Sequence, residues 1–353
     1  MSEHQLSSPA PAPDADESAR VERVAREPAR TRRGPASGGA ARTLGLVVAL
    51  AAICLVGYIT AGSRFASLDN MVVILSAASV LGVVSIGMTF VITAGGIDLS
   101  VGSVLGLASV WATTLATQQM ADQYGWIVMV GCALAVGAGA GLVNGVLVAY
   151  GRVVAFIATL AMLVAARGLA ELIAQRRTQL VTVQSFSDTF KGNLLGVPKI
   201  VWIFAVVAVV GWFLLNRTTF GRRTVAVGGN PEAARLAGIR VKRHTMLLYG
   251  LSGLAAGIAA VMMLARTGAG SSTNGQLYEL DAIAAVVVGG TLLTGGRGTI
   301  VGTVLGVLIF QTLTNVFIQN NLDSSVQNMV KGAIIVAAVL LQQRFSTRTP
   351  RTT

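Results

Sequence analysis

Few side chains in this sequence are placed to do chemistry. In GGIDLSVG (95–102) a carboxylate, Asp98, and a hydroxyl, Ser100, sit just before an apolar stretch. Either could cap a helix beginning near Val101 by accepting from its unpaired N–H groups, and that structural role is favoured. The alternative is that Asp98 faces a polar cavity. Arg167 and Glu171 are four residues apart, hence on one helix face. A mutual ion pair is favoured over contact with a ligand. Asn144 stands alone in an apolar run, where it could bond a neighbouring helix or line a path, and the sequence leaves both open. No catalytic residue and no metal site is assigned. His4 and His244 stand apart from any Cys or carboxylate cluster, and Cys54 and Cys132 lie in apolar runs as small hydrophobes. No GxxxxGK[ST] phosphate loop occurs, and GGRGT at 295–299 lacks the lysine, so it reads as a tight turn.

The longest polar segment inside the apolar part of the chain runs from Arg217 to Arg243 and contains GGNPEAARLAGIRVKR. Asn230 suits an N-cap, Pro231 the first helical position, and Glu232 the positive helix end. Ala234, Arg235 and Leu236 propagate a helix, and Gly238 can end it in a left-handed conformation. A helix of about two turns displayed on a surface could fit a groove on a partner; a basic loop without a partner is the plainer alternative. Two other polar stretches are candidates for docking. One carries Arg176, Arg177 and Lys191; the other is GAGSSTNGQLYELDAI, with Tyr278, Glu279 and Asp281. Asp281, directly before an apolar helix, is read as a cap.

The elements that hold these residues are spans of a membrane. Of 353 residues, 53% are apolar and only 12% charged, and mean hydropathy is +0.69, whereas a soluble domain has ~25% charged residues. Apolar runs reach the roughly 20 residues that cross ~30 Å of hydrocarbon. The 41 glycines lie within those runs, as close helix packing in lipid favours. The expected spans are 43–61, 71–93, 101–117, 126–150, 153–174, 200–216, 246–265, 281–294, 299–317 and 326–341. The fold class is therefore an all-α polytopic membrane protein with about ten transmembrane helices and both termini cytoplasmic. With that orientation 19 of the 27 Lys and Arg fall inside, in line with the cytoplasmic bias of basic residues. The basic loop 175–199 is the exception. The excess of positive charge thus points to a membrane and not to nucleic acid. Residues 1–42 are expected as a disordered cytoplasmic tail, 43–343 as the transmembrane domain with a cytoplasmic loop at 217–244, and 344–353 as a cytoplasmic C-terminal tail.

GGIDLSVGSVLG (95–106) aligns without gaps on GGRGTIVGTVLG (295–306), with seven of twelve positions identical, which suggests two related substructures. Together with GGNPEAARLAGIRVKR, YELDAIAAVVVGGTLLTGGRGTIVGTVLG, TAGGIDLSVGSVLGLASV and GLVNGVLVAYGRVVAFIATL, these segments resemble the permease family of ribose-type sugar ABC importers, within the wider branched-chain amino acid and sugar permeases. The resemblance covers about Leu68 to Leu341. Ala155, where proline often precedes Phe156, and Ala161, where glycine often follows Thr-Leu, depart from the pattern and touch only the fifth span. The resemblance implies a homodimer of permeases in the cytoplasmic (inner) membrane of a bacterium. It also implies cytoplasmic ABC ATPase subunits that bind ATP and Mg²⁺, no cofactor in this chain, and an external binding protein that delivers substrate. Asn230–Ile239 would be the ATPase-coupling helix; Asp98, Asn144, Arg167 and Glu171 the path or gating candidates; and Arg176, Arg177, Lys191, Tyr278 and Glu279 the docking candidates. The competing class is an ion-coupled secondary transporter of a small polar solute, which would require carboxylates near the midplane.

Overall fold

The computed structural model describes residues 35–346, apart from a few side chains in its last helix. Residues 1–34 of the expected tail, and 347–353 at the other end, lie outside the described residues. Contacts divide the chain into Met1–Ala41 and a larger unit, Arg42–Thr353, and the packing described below is that of the larger unit. The first helix begins eight residues ahead of its expected span, at Pro35. Proline is preorganised for a first helical position and the alanines after it propagate the helix.

In chain order the helices are α1 (Pro35–Ala61), α2 (Leu68–Thr93), α3 (Val101–Ala112), α4 (Leu115–Tyr124), α5 (Ile127–Ala149), α6 (Ala155–Ala174) and α7 (Gln184–Phe190). They continue with α8 (Lys199–Arg217), α9 (Thr219–Gly229), α10 (Pro231–Leu236), α11 (Val241–Thr267), α12 (Tyr278–Val288), α13 (Ile300–Gln319) and α14 (Ser324–Ser346). Every expected apolar segment is helical, and the chain is an all-α polytopic membrane protein. Among the described residues seven helices are long and apolar enough to cross a membrane: α1, α2, α5, α6, α8, α11 and α13.

Three of the ten expected spans are not among these seven: 326–341 lies in α14, helical over Ser324–Ser346, and the other two are not full spans. The third, expected to reach Thr117, stops at Ala112, so α3 has 12 residues, about 18 Å at 1.5 Å per residue and too short to cross. Thr114 begins a new helix, its hydroxyl accepting from Thr117 N at 3.3 Å, because an N-capping threonine in extended conformation cannot also continue the helix before it. The eighth, α12, has 11 residues and ends at Gly289–Gly290, where Gly290 has φ +103°. Both half-length helices are buried against neighbours, which satisfies the rule that broken backbone at membrane depth must be covered by protein.

The centre of the bundle is α11 with α2, buried over 72% and 67% of their apolar windows against 11% for α1. Helix α11 packs on α5 and α2. Its approach to α5 is set by two pairs of glycines four apart, Gly137 and Gly141 facing Gly253 and Gly257. A Cβ on Gly137 would stand 2.8 Å from Gly257 N, and one on Gly253 2.8 Å from Gly141 N. Two helices this close gain dispersion contacts that lipid tails do not supply, and only a hydrogen at the α-carbon permits it. The outer helices α1, α6 and α8 leave Ile59, Val164, Val206 and Val209 exposed, a surface suited to hydrocarbon.

The connections sort to two ends. At one, Gly296 N of the turn 289–299 donates to Thr93 O at the end of α2 at 2.8 Å, and Gly228 of α9 lies against both residues. At the other, Gln179–Leu180 pairs antiparallel with Ala269–Gly270, and Asn320 Nδ2 donates to Thr60 Oγ1 at 2.9 Å. Both repeat-like segments use a left-handed glycine, Gly95 (φ +84°) and Gly295 (φ +81°), and start their helices at Val101 and Ile300.

Candidate functional site

The polar loop folds as its residue types direct. Asn230 Oδ1 accepts from Glu232 N and Ala233 N, both at 3.0 Å, and Pro231 opens α10. Gly238, at φ +83°, ends it, with Gly238 N donating to Arg235 O and Ile239 N to Ala234 O, each at 3.0 Å. Ala234 packs inward at 4% exposure while Leu236 stands out at 77%. Glu232 and Arg235 pair on the surface at 2.5 Å; the hydrogen bond from Arg235 holds the Glu232 carboxyl below its ordinary range, and Glu232 raises Arg235 in turn. The result is a short rigid helix presenting one leucine and one neutralised ion pair.

That helix is tied to the core by glycines whose role is not legible one at a time. Gly228, near the end of α9, lies against Thr93 and Gly296. A Cβ there would stand 2.6 Å from Gly296 N and 2.9 Å from the Thr93 carbonyl carbon, and would also strike Thr93 O. Gly295 is equally confined, its Cβ position 2.7 Å from Gly228 O and 2.9 Å from Gly95 N. Three Gly-Gly pairs in the sequence (95–96, 228–229 and 295–296) thus converge where α9 meets the two repeat-like turns. Thr89 Oγ1 and Thr303 Oγ1, 2.8 Å apart, join α2 to α13 beneath this point. The signal available in the sequence was the doublet itself, recurring at each turn.

Asp98 and Ser100 do not cap α3. Ser100 occupies the N-cap position without a side-chain cap bond, because its hydroxyl is turned to Asp98 Oδ1 at 2.6 Å, with Ser100 N at 3.0 Å. Ser252 of α11 donates to Asp98 Oδ2 at 2.8 Å, and Asn144 of α5 donates to Ser100 Oγ at 2.9 Å. Two separately chosen candidates, Asp98 and Asn144, therefore fall in one buried cluster, both at or below 1% exposure. The cluster pins the turn before α3 to α5 and α11, with Asn144 Oδ1 buried and unpartnered.

The expected Arg167–Glu171 pair does not form. Arg167 donates to the carbonyl oxygens of Ser272 and, at 3.2 Å, Asn274, fixing the loop before α12. Glu171 faces the exposed Arg176 at 3.5 Å instead. Shared helix face makes the two neighbours, but the guanidinium is turned to the loop before α12, where Nη1 donates to two carbonyls. Asp281 is not a cap either. The helix starts three residues earlier, at Tyr278, and the Asp281 carboxylate accepts from Lys331 Nζ of α14 at 3.0 Å. Glu279 is buried at 9% exposure with Oε2 unpartnered, so it offers no docking surface; Tyr278 lines a cavity. Arg176, Arg177 and Lys191 are exposed on the segment that also carries α7. Among the described residues no cluster of His, Cys, Asp and Glu could hold a metal ion.

Residues 70–339 match the family described as the branched-chain amino acid transport system / permease component. The chain belongs to this family. Among similar members of known function, the ribose import permease protein RbsC of Escherichia coli strain K12 is 40% identical over 303 residues, covering 85% of this chain and 92% of that protein. The RbsC of Bacillus subtilis strain 168 is 39% identical over 279 residues, 78% and 85% of the two chains. The L-arabinose ABC transporter permease protein AraH of Azospirillum brasilense is 38% identical over 274 residues, 78% and 80%. No solved structure matches the chain. As a permease of this family with seven or more apolar spans, the protein is a multi-pass protein of the bacterial inner membrane.

Proposed function

We propose that this chain is the translocation subunit of an ATP-driven importer for a sugar or related polyol. Two copies form the pathway, cytoplasmic ATPase subunits carry the ATP and Mg²⁺, and an external binding protein delivers the substrate. The observation that carries this reading is the capped surface helix α10, joined through α9 and Gly228 to both repeat-like turns. A helix that only decorated a loop would need no such seat. When ATPase subunits close, movement of α10 passes through Gly228 to the starts of α3 and α13, and the bundle alternates between outward and inward access. Relatives named for ribose and arabinose transport supply the substrate class, and the scarcity of charged groups in the spans suits an uncharged cargo. Exposed Arg176, Arg177 and Lys191 would meet acidic groups on the binding protein.

The observation favouring an ion-coupled transporter is Glu279, a buried carboxylate with a free oxygen. In that scheme Glu279→Gln would abolish uptake and ATP depletion would not. Asp98 does not serve it, since both its oxygens already accept from serines. The experiment is a tagged pull-down from native membranes in mild detergent with mass spectrometry. An ATPase bearing a phosphate-loop motif in stoichiometric yield supports the importer; recovery of this chain alone, with uptake that ignores ATP depletion, overturns it.

A further inference from the structure

A groove of roughly 520 Å³ runs down the side of the bundle between α1, α8 and α13. Val47, Val209, Trp212, Val301 and Leu305 line it, and all but Leu305 are exposed. Thr43 and Ile300 mark its end nearer α10, and arginines gather there. Arg42 directly precedes Thr43, and its guanidinium lies on Gly290, where a Cβ would stand 2.7 Å from Arg42 Nη1. Arg297, exposed in the same turn, is near enough for the two charges to act on each other. Arg217 lies over the Trp212 ring at 5.4 Å. None of the three has a carboxylate partner among the described residues. The connections at this end, residues 94–100, 150–154, 217–243 and 289–299, hold two acidic side chains. Asp98 is buried with both oxygens bonded, and Glu232 is paired with Arg235. A second copy lying parallel in the same membrane would present the same residues at the same depth, so these connections would bring no free carboxylate. Residues 1–34 carry acidic groups but almost no large apolar side chains to fill the groove.

We propose that the groove seats an acyl chain of an anionic phospholipid, with the lipid phosphate on Arg42, Arg297 and Arg217. A guanidinium forks onto phosphate oxygens, and basic pockets beside membrane helices hold lipid headgroups in this way. Any lipid tail can fill the groove, since tails are as apolar as its walls, so the headgroup decides which lipid stays. A zwitterionic headgroup brings an ammonium that the arginines repel; phosphatidylglycerol brings none. Trp212, beneath the charges, sits as indoles do at the edge of the hydrocarbon.

The test uses the full-length permease in phosphatidylcholine vesicles, with Trp111→Phe, Trp126→Phe and Trp202→Phe leaving Trp212 as the one reporter. Phosphatidylglycerol or phosphatidylcholine with brominated tails, which quench an indole on contact, is added in rising fraction. Each arginine near a membrane surface is worth about a fivefold preference, so phosphatidylglycerol should reach half of the quenching at a fraction at least about tenfold below phosphatidylcholine. Arg297→Gln, a change on the surface, lowers that preference about fivefold, and adding Arg42→Gln lowers it again. The thermal midpoint of each variant is recorded to show that the fold persists. Equal quenching by the two lipids, or a preference that Arg297→Gln leaves unmoved, overturns the proposal. Quenching by neither lipid overturns it as well, because protein then covers the groove, whether a second copy or residues 1–34.

Discussion

Adding a single methyl group at Gly228 places it where three backbones meet. The new Cβ of Gly228→Ala would stand 2.6 Å from Gly296 N and 2.9 Å from the Thr93 carbonyl carbon, whereas non-bonded carbon contacts settle near ~3.5–4.0 Å. The turn must therefore retreat by about 1 Å. No side chain can swing away to absorb it, because the opposing atoms are main chain and are bonded to each other through Gly296 N and Thr93 O at 2.8 Å. Overpacking of this kind costs about 1–3 kcal/mol. If that cost falls on the contact that links α10 to the turns, the coupling between ATP hydrolysis and the pathway drops by roughly 5–150-fold. The ATPases should still bind, since the surface of α10 is unaltered. Gly229→Ala is the control, as nothing lies within 4 Å of its Cβ position. The assay is ATP hydrolysed per sugar imported in proteoliposomes, with variants checked for equal insertion. A ratio at least about fivefold above wild type for Gly228→Ala, and an unchanged one for Gly229→Ala, is the expected result. Equal, wild-type coupling in both variants would refute the transmission argument.

Glu232→Lys places like charge beside Arg235, and Gly238→Pro cannot adopt the positive φ found there; both should abolish transport and ATPase co-purification while insertion is unaffected. Arg167→Met loses the bonds that Nη1 donates to the Ser272 and Asn274 carbonyls, each charged bond being worth about 1.5–3 kcal/mol, and should lower the thermal midpoint. Asn315→Ala removes two amide bonds with Asn70, which keeps Phe65 O and Gln319 Nε2 as partners, and should cost about 0.5–1.5 kcal/mol per lost bond in denaturation. The Glu232 carboxyl is held low in the folded chain. Its ion pair is therefore fully present above the ordinary glutamate range of about 4.3 and is lost as pH falls through the lower folded value. Co-elution with the ATPase should accordingly be flat from about pH 8 to about pH 5 and decline only below.

Periodicity and apolar run length locate the long spans, because a membrane span has one dominant requirement, but not the short helices α4, α7 and α9. They also miss where a span is half a span. Val101–Thr117 is apolar throughout its first half, and the break depends on Thr114 preferring to cap a new helix. Helix α10 is readable because its signals are local: Asn230, Pro231 and Gly238 each act on their own backbone. The polar partners were not. Spacing of four puts Arg167 beside Glu171 but says nothing of Ser272 and Asn274, more than a hundred residues away. Likewise Asp98 resembles a cap until Ser252 and Asn144 arrive from other helices. Long-range pairing of isolated polar groups is a tertiary property, and one sequence carries no record of it.

The most direct measurement of the central claim is uptake of labelled ribose into proteoliposomes holding this permease with its co-purified ATPase, in the presence of the binding protein and with ATP on the ATPase side. The account gives concentrative uptake that stops when ATP is withheld or when a hydrolysis-dead ATPase is substituted, and that persists when ion gradients are collapsed. Uptake by the permease alone, driven by a proton or sodium gradient and indifferent to ATP, would contradict it.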